Sequence, residues 1–195
     1  LLRTHPPDQR RPDGLRSGRP PGDLTQRVKT VRAAELAPGY DLVLLTCKAY
    51  DLDSALDAIA PAMDGHCAVV PMLNGIAHLA RLDDRFGRAQ VMGGTCQIGV
   101  TLESDGAIRH ADALQRIAFG ERDRSINARA RMQANAFAAT TLEWELAGDI
   151  EQNMWEKIKF LSMLAATTSL FRTHIRETVR TTGGIASTVR ALALH

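Results

Sequence analysis

A chain of 195 residues with 45% apolar side chains is long enough for one full domain, or for one domain and part of a second. Its formal charge of +2, with no basic face interleaved with aromatics, argues against a nucleic-acid partner and leaves small molecules as the expected ligands. No apolar run reaches the roughly 18 to 20 residues of a membrane helix, and the opening "LLRTHPPDQRRPDG" lacks a secretory apolar stretch, so the expectation is a soluble protein of the cytoplasm.

The first 39 residues hold six of the eight prolines and eight Arg or Lys against four acids, which reads as an irregular segment with room for a short strand near "TQRVKTV". From Tyr40 the texture changes. Leu42 to Thr46 is a continuous apolar run of the length of a strand buried on both faces. Asp51 is a candidate N-cap, after which Leu52, Ala55, Leu56 and Ile59 fall at i, i+3, i+4 and i+7 and make one stripe of a helix that ends near Pro61 to Gly65. A second strand, "CAVVPML" (67–73), stops at the turn pair Asn74-Gly75. A short helix around His78 to Phe86 follows, then strands at "QVMGGTCQIGVTLE" (90–103) and "RIAFGE" (116–121), a helix at 127–139, and a strand "TTLEWE" (140–145). This alternation predicts an α/β fold with a mostly parallel, doubly wound sheet.

Near residue 148 the pattern changes again. Asp149 is a candidate N-cap with Gln152 at the third helical position, followed by about twenty residues without Gly or Pro. From Ile158 to Ala166 this helix is apolar nearly all round and is expected to be buried, as the first helix of a separate helical domain. The expected division is 1–39 irregular, 40–147 a partial dinucleotide-binding domain, and 148–195 an incomplete helical substrate domain. Apolar helix faces without a bundle would need cover, and a homodimer through the helical segment is one way to supply it.

Cys47, Cys67 and Cys96 form no CxxC pair and lie in apolar or Gly-rich segments, so they read as packing residues and no metal site is expected. In an open parallel sheet, ligands bind at the carboxyl ends of the strands, where loops and helix N-termini face a shared crevice. Lys48 and Asn74 sit at such ends on successive strands. Lys48 could meet a phosphate or a carboxylate, or simply stand in solvent. Asn74 could donate its amide to a carbonyl, or simply make the Asn-Gly turn. Lys157 lies two turns into the long helix, either snorkelling to the surface or held in a partly desolvated cleft; Lys159 must point to another face.

In order and spacing, "DLVLLTCKAYDLDSAL", "VVPMLNGIAHLARL", "VMGGTCQIGVTLESDGAIRH", "IAFGE" and "MWEKIKFLSMLAATTSL" resemble the ketopantoate reductases, NADPH-dependent 2-dehydropantoate 2-reductases of pantothenate biosynthesis. The likeness runs over roughly residues 14 to 184. It implies a Rossmann-type sheet, NADPH as cofactor and a 2-oxo acid as substrate. The lysine of the strand-end K-A-[WY] motif falls on Lys48, implying a place near cofactor and substrate, and the asparagine of the N-G pair falls on Asn74, implying a place beside nicotinamide and substrate. The lysine of W-x-K falls on Lys157, implying the general acid. That role suits the chemistry, because hydride addition to a 2-oxo group builds an alkoxide that a positioned ammonium stabilises and protonates.

The sequence departs from the family at two places. It has no G-x-G-x-x-G after a first strand; Gly14, Gly18 and Gly22 lie in a Pro- and Arg-rich stretch, so the sheet is expected to lack its first βαβ unit. Where the resemblance implies an asparagine four residues after the catalytic lysine this chain has Leu161, with Ala165 at the next turn, and such a face hydrogen-bonds a hydroxy acid differently. Three readings stay open: an active NADPH-dependent reductase, a family member that does not bind dinucleotide, and a related hydroxyacid dehydrogenase with another substrate.

Overall fold

The structure, a computed structural model, describes residues 28–104 and 106–172, the backbone of 2–3, 15–18 and 24–26, and the single positions 177, 180 and 183; of 111–113 it gives the backbone alone. In chain order the elements are β1 (Leu2–Arg3), β2 (Leu15–Gly18), β3 (Leu24–Gln26), β4 (Val31–Arg32), β5 (Leu42–Leu45), α1 (Leu52–Ile59), β6 (Ala68–Pro71), α2 (Ala77–Phe86), β7 (Gly93–Leu102), β8 (Ile108–Gly120), α3 (Ala128–Ala138), β9 (Glu143–Leu146) and α4 (Ile150–Phe171). The α/β order read from the sequence is present.

β5 and β6 pair in parallel from Leu42↔Ala68 to Leu45↔Pro71, and a parallel bridge Val69↔Val91 leads into β7. β7 and β8 pair antiparallel from Gly93↔Gly120 to Leu102↔Ile108, and β9 adds to β8 in parallel. Near the N-terminus β1 pairs in parallel with β4, and the antiparallel pair β2 and β3 joins the edge of β8 at Ser17↔Ile108. The sheet is covered on both faces. Leu45, Val69 and Leu82 pack with α1, α2 and the start of α4 on one side; Val70, Met92 and Phe119 pack with α3 on the other, where Phe119 lies 5.2 Å from the Phe137 ring. Burial at all four positions is why β6 reads as an unbroken apolar run; in β5 only Leu45 is buried and Leu44 is 45% exposed, so the expectation of a strand buried on both faces does not hold there.

Several expectations shift in detail. The stripe Leu52, Ala55, Leu56, Ile59 is buried as predicted, but the Asp51 side chain makes no cap bond. A single 3-10 turn, Ala49–Asp51, precedes α1, so Asp51 is already helical in direction and instead its carbonyl accepts from the Ser54 hydroxyl at 2.9 Å. β8 begins at Ile108, not at Arg116, because Glu103 and Ala107 close a hairpin (Glu103 N–H to Ala107 O, 2.8 Å) that folds the strand back on β7. β9 starts at Glu143, not at Thr140: the Thr140 N–H and hydroxyl both donate to the Phe137 carbonyl, which holds residues 140–142 in the turn that ends α3.

α4 is capped as the sequence indicates, with the Asp149 carboxylate accepting from the Gln152 N–H at 3.1 Å. Its burial is less complete than expected. Ile150, Met154, Lys157, Met163 and Thr167 are buried, while Phe160 is 51% and Leu170 73% exposed. Among the described elements α4 packs mainly on β7 and β8.

Candidate functional site: the carboxyl edge of the sheet and the Lys157 cleft

Lys48 and Asn74 each lie three residues beyond the paired positions Leu45 and Pro71, on the same edge of two neighbouring strands. Adjacent strands run about 5 Å apart, so the two backbones leave the sheet side by side. Lys48 is extended (φ −79°, ψ 154°) and opens the 3-10 turn before α1, its carbonyl accepting from the Asp51 N–H at 3.0 Å. Asn74 is followed by Gly75 at φ +85°, a backbone conformation that the turn needs and that glycine adopts without strain. Both side chains are exposed.

The next strand is drawn against the end of β6. A Cβ at Gly94 would lie 2.7 Å from the Pro71 carbonyl oxygen, so the missing side chain lets β7 close on β6 and carry Thr95 and Cys96 past the residues that follow Pro71. The cross-strand partners Gly93 and Gly120 do a second job. A Cβ at Gly93 would lie 2.6 Å from Ile150 Cγ2 and one at Gly120 2.5 Å from the Ala147 carbonyl oxygen; their absence leaves a slot in the sheet into which Ile150 seats the start of α4. Ile150, Met154 and Lys157 fall at i, i+4 and i+7 on one face, so the helix seated there points Lys157 back onto β7.

Lys157 is only 8% exposed, and its Nζ donates to the Cys96 carbonyl at 2.5 Å. Among the described residues no carboxylate pairs with it. Burial therefore lowers its pKa below the ordinary lysine value, with a small opposing contribution from the Cys96 thiol. The thiol itself is pushed up by burial. Lys159 is exposed on another face, as the spacing requires.

The ammonium borders a cleft of about 140 Å³ lined by Thr95, Gln97, Arg116, Ala118, Asn153, Glu156, Lys157 and Phe160. Thr95 and Gln97 alternate on β7 opposite Ala118 and Arg116 on β8, while the α4 residues repeat at helical spacing over them. Arg116 donates from Nη2 to Glu145 at 2.9 Å and faces Glu143 with Nε at 3.5 Å. These are half-exposed pairs, each worth up to about 1 kcal/mol. Gln97 and Arg116 escape a sequence reading because they are ordinary polar residues until the β7–β8 register sets them opposite each other. Leu161 and Ala165 are not among the residues lining the cleft.

A second buried cation ties this region together. Arg122, just past β8, donates from Nη1 to Asp83 on α2 at 2.6 Å and from Nε to Glu151 on α4 at 3.0 Å, with its side chain 7% exposed. His78, buried on α2, has its pKa lowered from an ordinary 6.5 to about 4 by burial and by the charge of Arg122.

A dinucleotide fits these residues only in part. Lys48 and Asn74 leave the sheet on the same edge of successive strands, and neither is among the residues lining the Lys157 cleft. Among the described residues no pyrophosphate cradle is found: Gly18 ends β2 in register with Arg109, within a strand and not at a strand-to-helix turn, and Gly14 and Gly22 lie outside the described residues.

The comparisons with known proteins agree with this architecture. The family model described as ketopantoate reductase PanE/ApbA matches residues 1–124. An uncharacterized oxidoreductase, YkpB of Bacillus subtilis, is 29% identical over 184 residues, which are 94% of this chain and 60% of that protein. The chain thus spans about three fifths of that relative. The crystal structure of 2-dehydropantoate 2-reductase from Porphyromonas gingivalis superposes with a TM-score of 0.78 at 22% identity, over 86% of this chain and 59% of that one. A complex of D-mandelate dehydrogenase with NADH superposes with a TM-score of 0.72 at 16% identity, over 87% and 53%. Both likenesses show a shared Rossmann-type fold.

Proposed function

The chain belongs to the ketopantoate reductase family, and from that premise we propose that it serves the NADPH-dependent reduction of a 2-oxo acid to a 2-hydroxy acid, with Lys157 as general acid and with Asn74 and Lys48 holding nicotinamide and substrate. The observation that carries the reading is the Lys157 ammonium: a nearly buried cation without a carboxylate partner among the described residues, bordering a cleft lined by Thr95, Gln97 and Arg116. An uncompensated buried charge is costly, and it persists where it has chemistry to do.

A nicotinamide held by Asn74 and Lys48 would supply the hydride that carbon 2 of the substrate accepts. As charge grows on the carbonyl oxygen, the Lys157 ammonium stabilises it and then gives up one proton, forming the hydroxyl; solvent restores the proton to the amine. Its lowered pKa suits this transfer near neutral pH, because the driving force for donation grows as the acid weakens its hold. The Cys96 carbonyl, accepting from Nζ, fixes the direction of the donor. Asn74 offers an amide donor to the carboxamide or the substrate, and Lys48 offers a cation at the same edge. The neutral interior of the sheet, with Val69 and Val70 fully buried, keeps this edge as the accessible one. A small-molecule substrate in the cytoplasm and a homodimer that covers the exposed Trp155, Phe160 and Leu170 complete the reading.

The test is NADPH oxidation with a panel of 2-oxo acids. Lys157→Ala is expected to lower kcat by about 10²- to 10⁴-fold while NADPH binding persists; an unchanged kcat overturns the role of Lys157. The absence of a G-x-G-x-x-G motif favours a second reading, a family member without dinucleotide binding. Fluorescence titration separates the two: no saturable enhancement with NADPH or NADH at millimolar concentration leaves only the second.

A further inference from the structure

We propose that Arg116 is the residue that recognises the substrate's carboxylate, so that the Lys157 cleft selects 2-oxo acids over uncharged 2-oxo compounds. The inference rests on the reductase reading above and adds to it the part of the site that reads the acid group. A 2-oxo acid carries its carboxylate on the carbon next to the carbonyl, so a group that binds the one must stand within a few ångströms of the donor that serves the other. Lys157 Nζ bonds the carbonyl of Cys96; the neighbouring residue, Gln97, is the register partner of Arg116 across β7 and β8, and both line the same cleft as Lys157.

The guanidinium is oriented but not used up. Its Nε faces Glu143 and its Nη2 bonds Glu145, and among the described residues Nη1 makes no hydrogen bond, which leaves its two N–H groups for a ligand. The Glu143 and Glu145 side chains are 65% and 39% exposed, so their pairs with Arg116 are solvated and easily exchanged, whereas a substrate carboxylate between Arg116 and Lys157 meets a nearly buried ammonium that pairs with no carboxylate among the described residues, Glu156 of the same cleft included. Guanidinium–carboxylate pairing is the strongest and most directional contact available for that group. The Gln97 amide, beside it on β7, can donate to the second carboxylate oxygen.

Pyruvate and its neutral counterpart pyruvamide, titrated into the 195-residue chain with ligand-observed NMR, test the assignment. Arg116→Gln is expected to raise the Kd for pyruvate at least tenfold and to leave that for pyruvamide within twofold, with Arg116→Lys recovering part of the pyruvate affinity. Lys157→Met is expected to weaken both ligands, because both present the carbonyl oxygen. Equal affinity for pyruvate in wild type and Arg116→Gln overturns this inference alone. Failure of the wild type to bind either compound overturns the 2-oxo acid reading on which it rests. A loss of pyruvamide binding equal to that of pyruvate in Arg116→Gln shows a structural role and also overturns it.

Discussion

Arg122 and Lys157 are two buried cations that meet the same helix, α4, and they are held in opposite ways. Arg122 is gripped by Asp83 and Glu151; burial alone would lower its pKa, and the two carboxylates outweigh that and raise it. Lys157, equally buried, has a backbone carbonyl and, among the described residues, no carboxylate, and burial lowers its pKa. The first arrangement fastens α2, the end of β8 and α4 together; the second stores an unbalanced charge in a cleft. What separates a structural cation from a chemical one here is the partner set and not the depth of burial.

Removing the charge should therefore act in opposite directions at the two sites. Arg122→Met leaves Asp83 and Glu151 with only the exposed Arg88 guanidinium, at 3.8 and 3.4 Å, and is expected to cost about 3 kcal/mol, the low end of the range for a broken buried pair; the urea midpoint at neutral pH reports it. A loss below 1 kcal/mol would mean the network is ornamental and would erase the contrast.

The histidine beside Arg122 sharpens it. His78 binds its proton at about 4 in the folded chain against 6.5 unfolded, so between those values the unfolded chain holds more protons and stability falls as the pH falls. The full drop is about 3 kcal/mol, and it should be absent in His78→Leu when unfolding curves are compared above and below that window.

Gly120→Ala probes how α4 is seated. The new methyl would stand 2.5 Å from the Ala147 carbonyl, a backbone atom that cannot swing aside, and overpacking of this kind costs about 2 kcal/mol. The thermal midpoint should fall, and substrate binding at Lys157 should weaken with it, because the helix that aims the lysine has moved.

The smallest effect carries the opposite sign. Lys157→Met is expected to stabilise the chain by about 1 kcal/mol while abolishing turnover, the usual exchange at a site that holds an unfavourable charge. Since the folded pKa of Lys157 is lowered, the wild type should regain that deficit as the pH rises through it toward 10.5, so the two unfolding midpoints should converge at alkaline pH.

Much of this architecture is visible in the residues themselves. The unbroken run Leu42 to Thr46, the stripe Leu52, Ala55, Leu56, Ile59 and the Asp149 cap each specify their element within a few residues, because strand burial, helical periodicity and capping are local physics. The first half of β8 was hidden because "IRHADALQ" has neither an apolar run nor clean alternation; only pairing with β7 makes it a strand. Arg116 and Gln97 stayed hidden for the same reason, since their meeting depends on register. The expectation of an α4 buried all round failed past Lys157, where Met163 and Thr167 are buried but Phe160 and Leu170 are exposed, because apolar composition shows that a surface needs cover and does not say which described element provides it.

The sequence by itself determined the element order, the strand-end positions of Lys48 and Asn74, and the helical phase that places Lys157 in line with Ile150 and Met154. Only the tertiary structure decided that this lysine is buried without a carboxylate partner among the described residues and that Arg116 shares its cleft. Those facts depend on three glycines, Gly93, Gly94 and Gly120, whose missing side chains let two strands and a helix approach within contact, and close approach between distant segments is set by packing that no local pattern encodes.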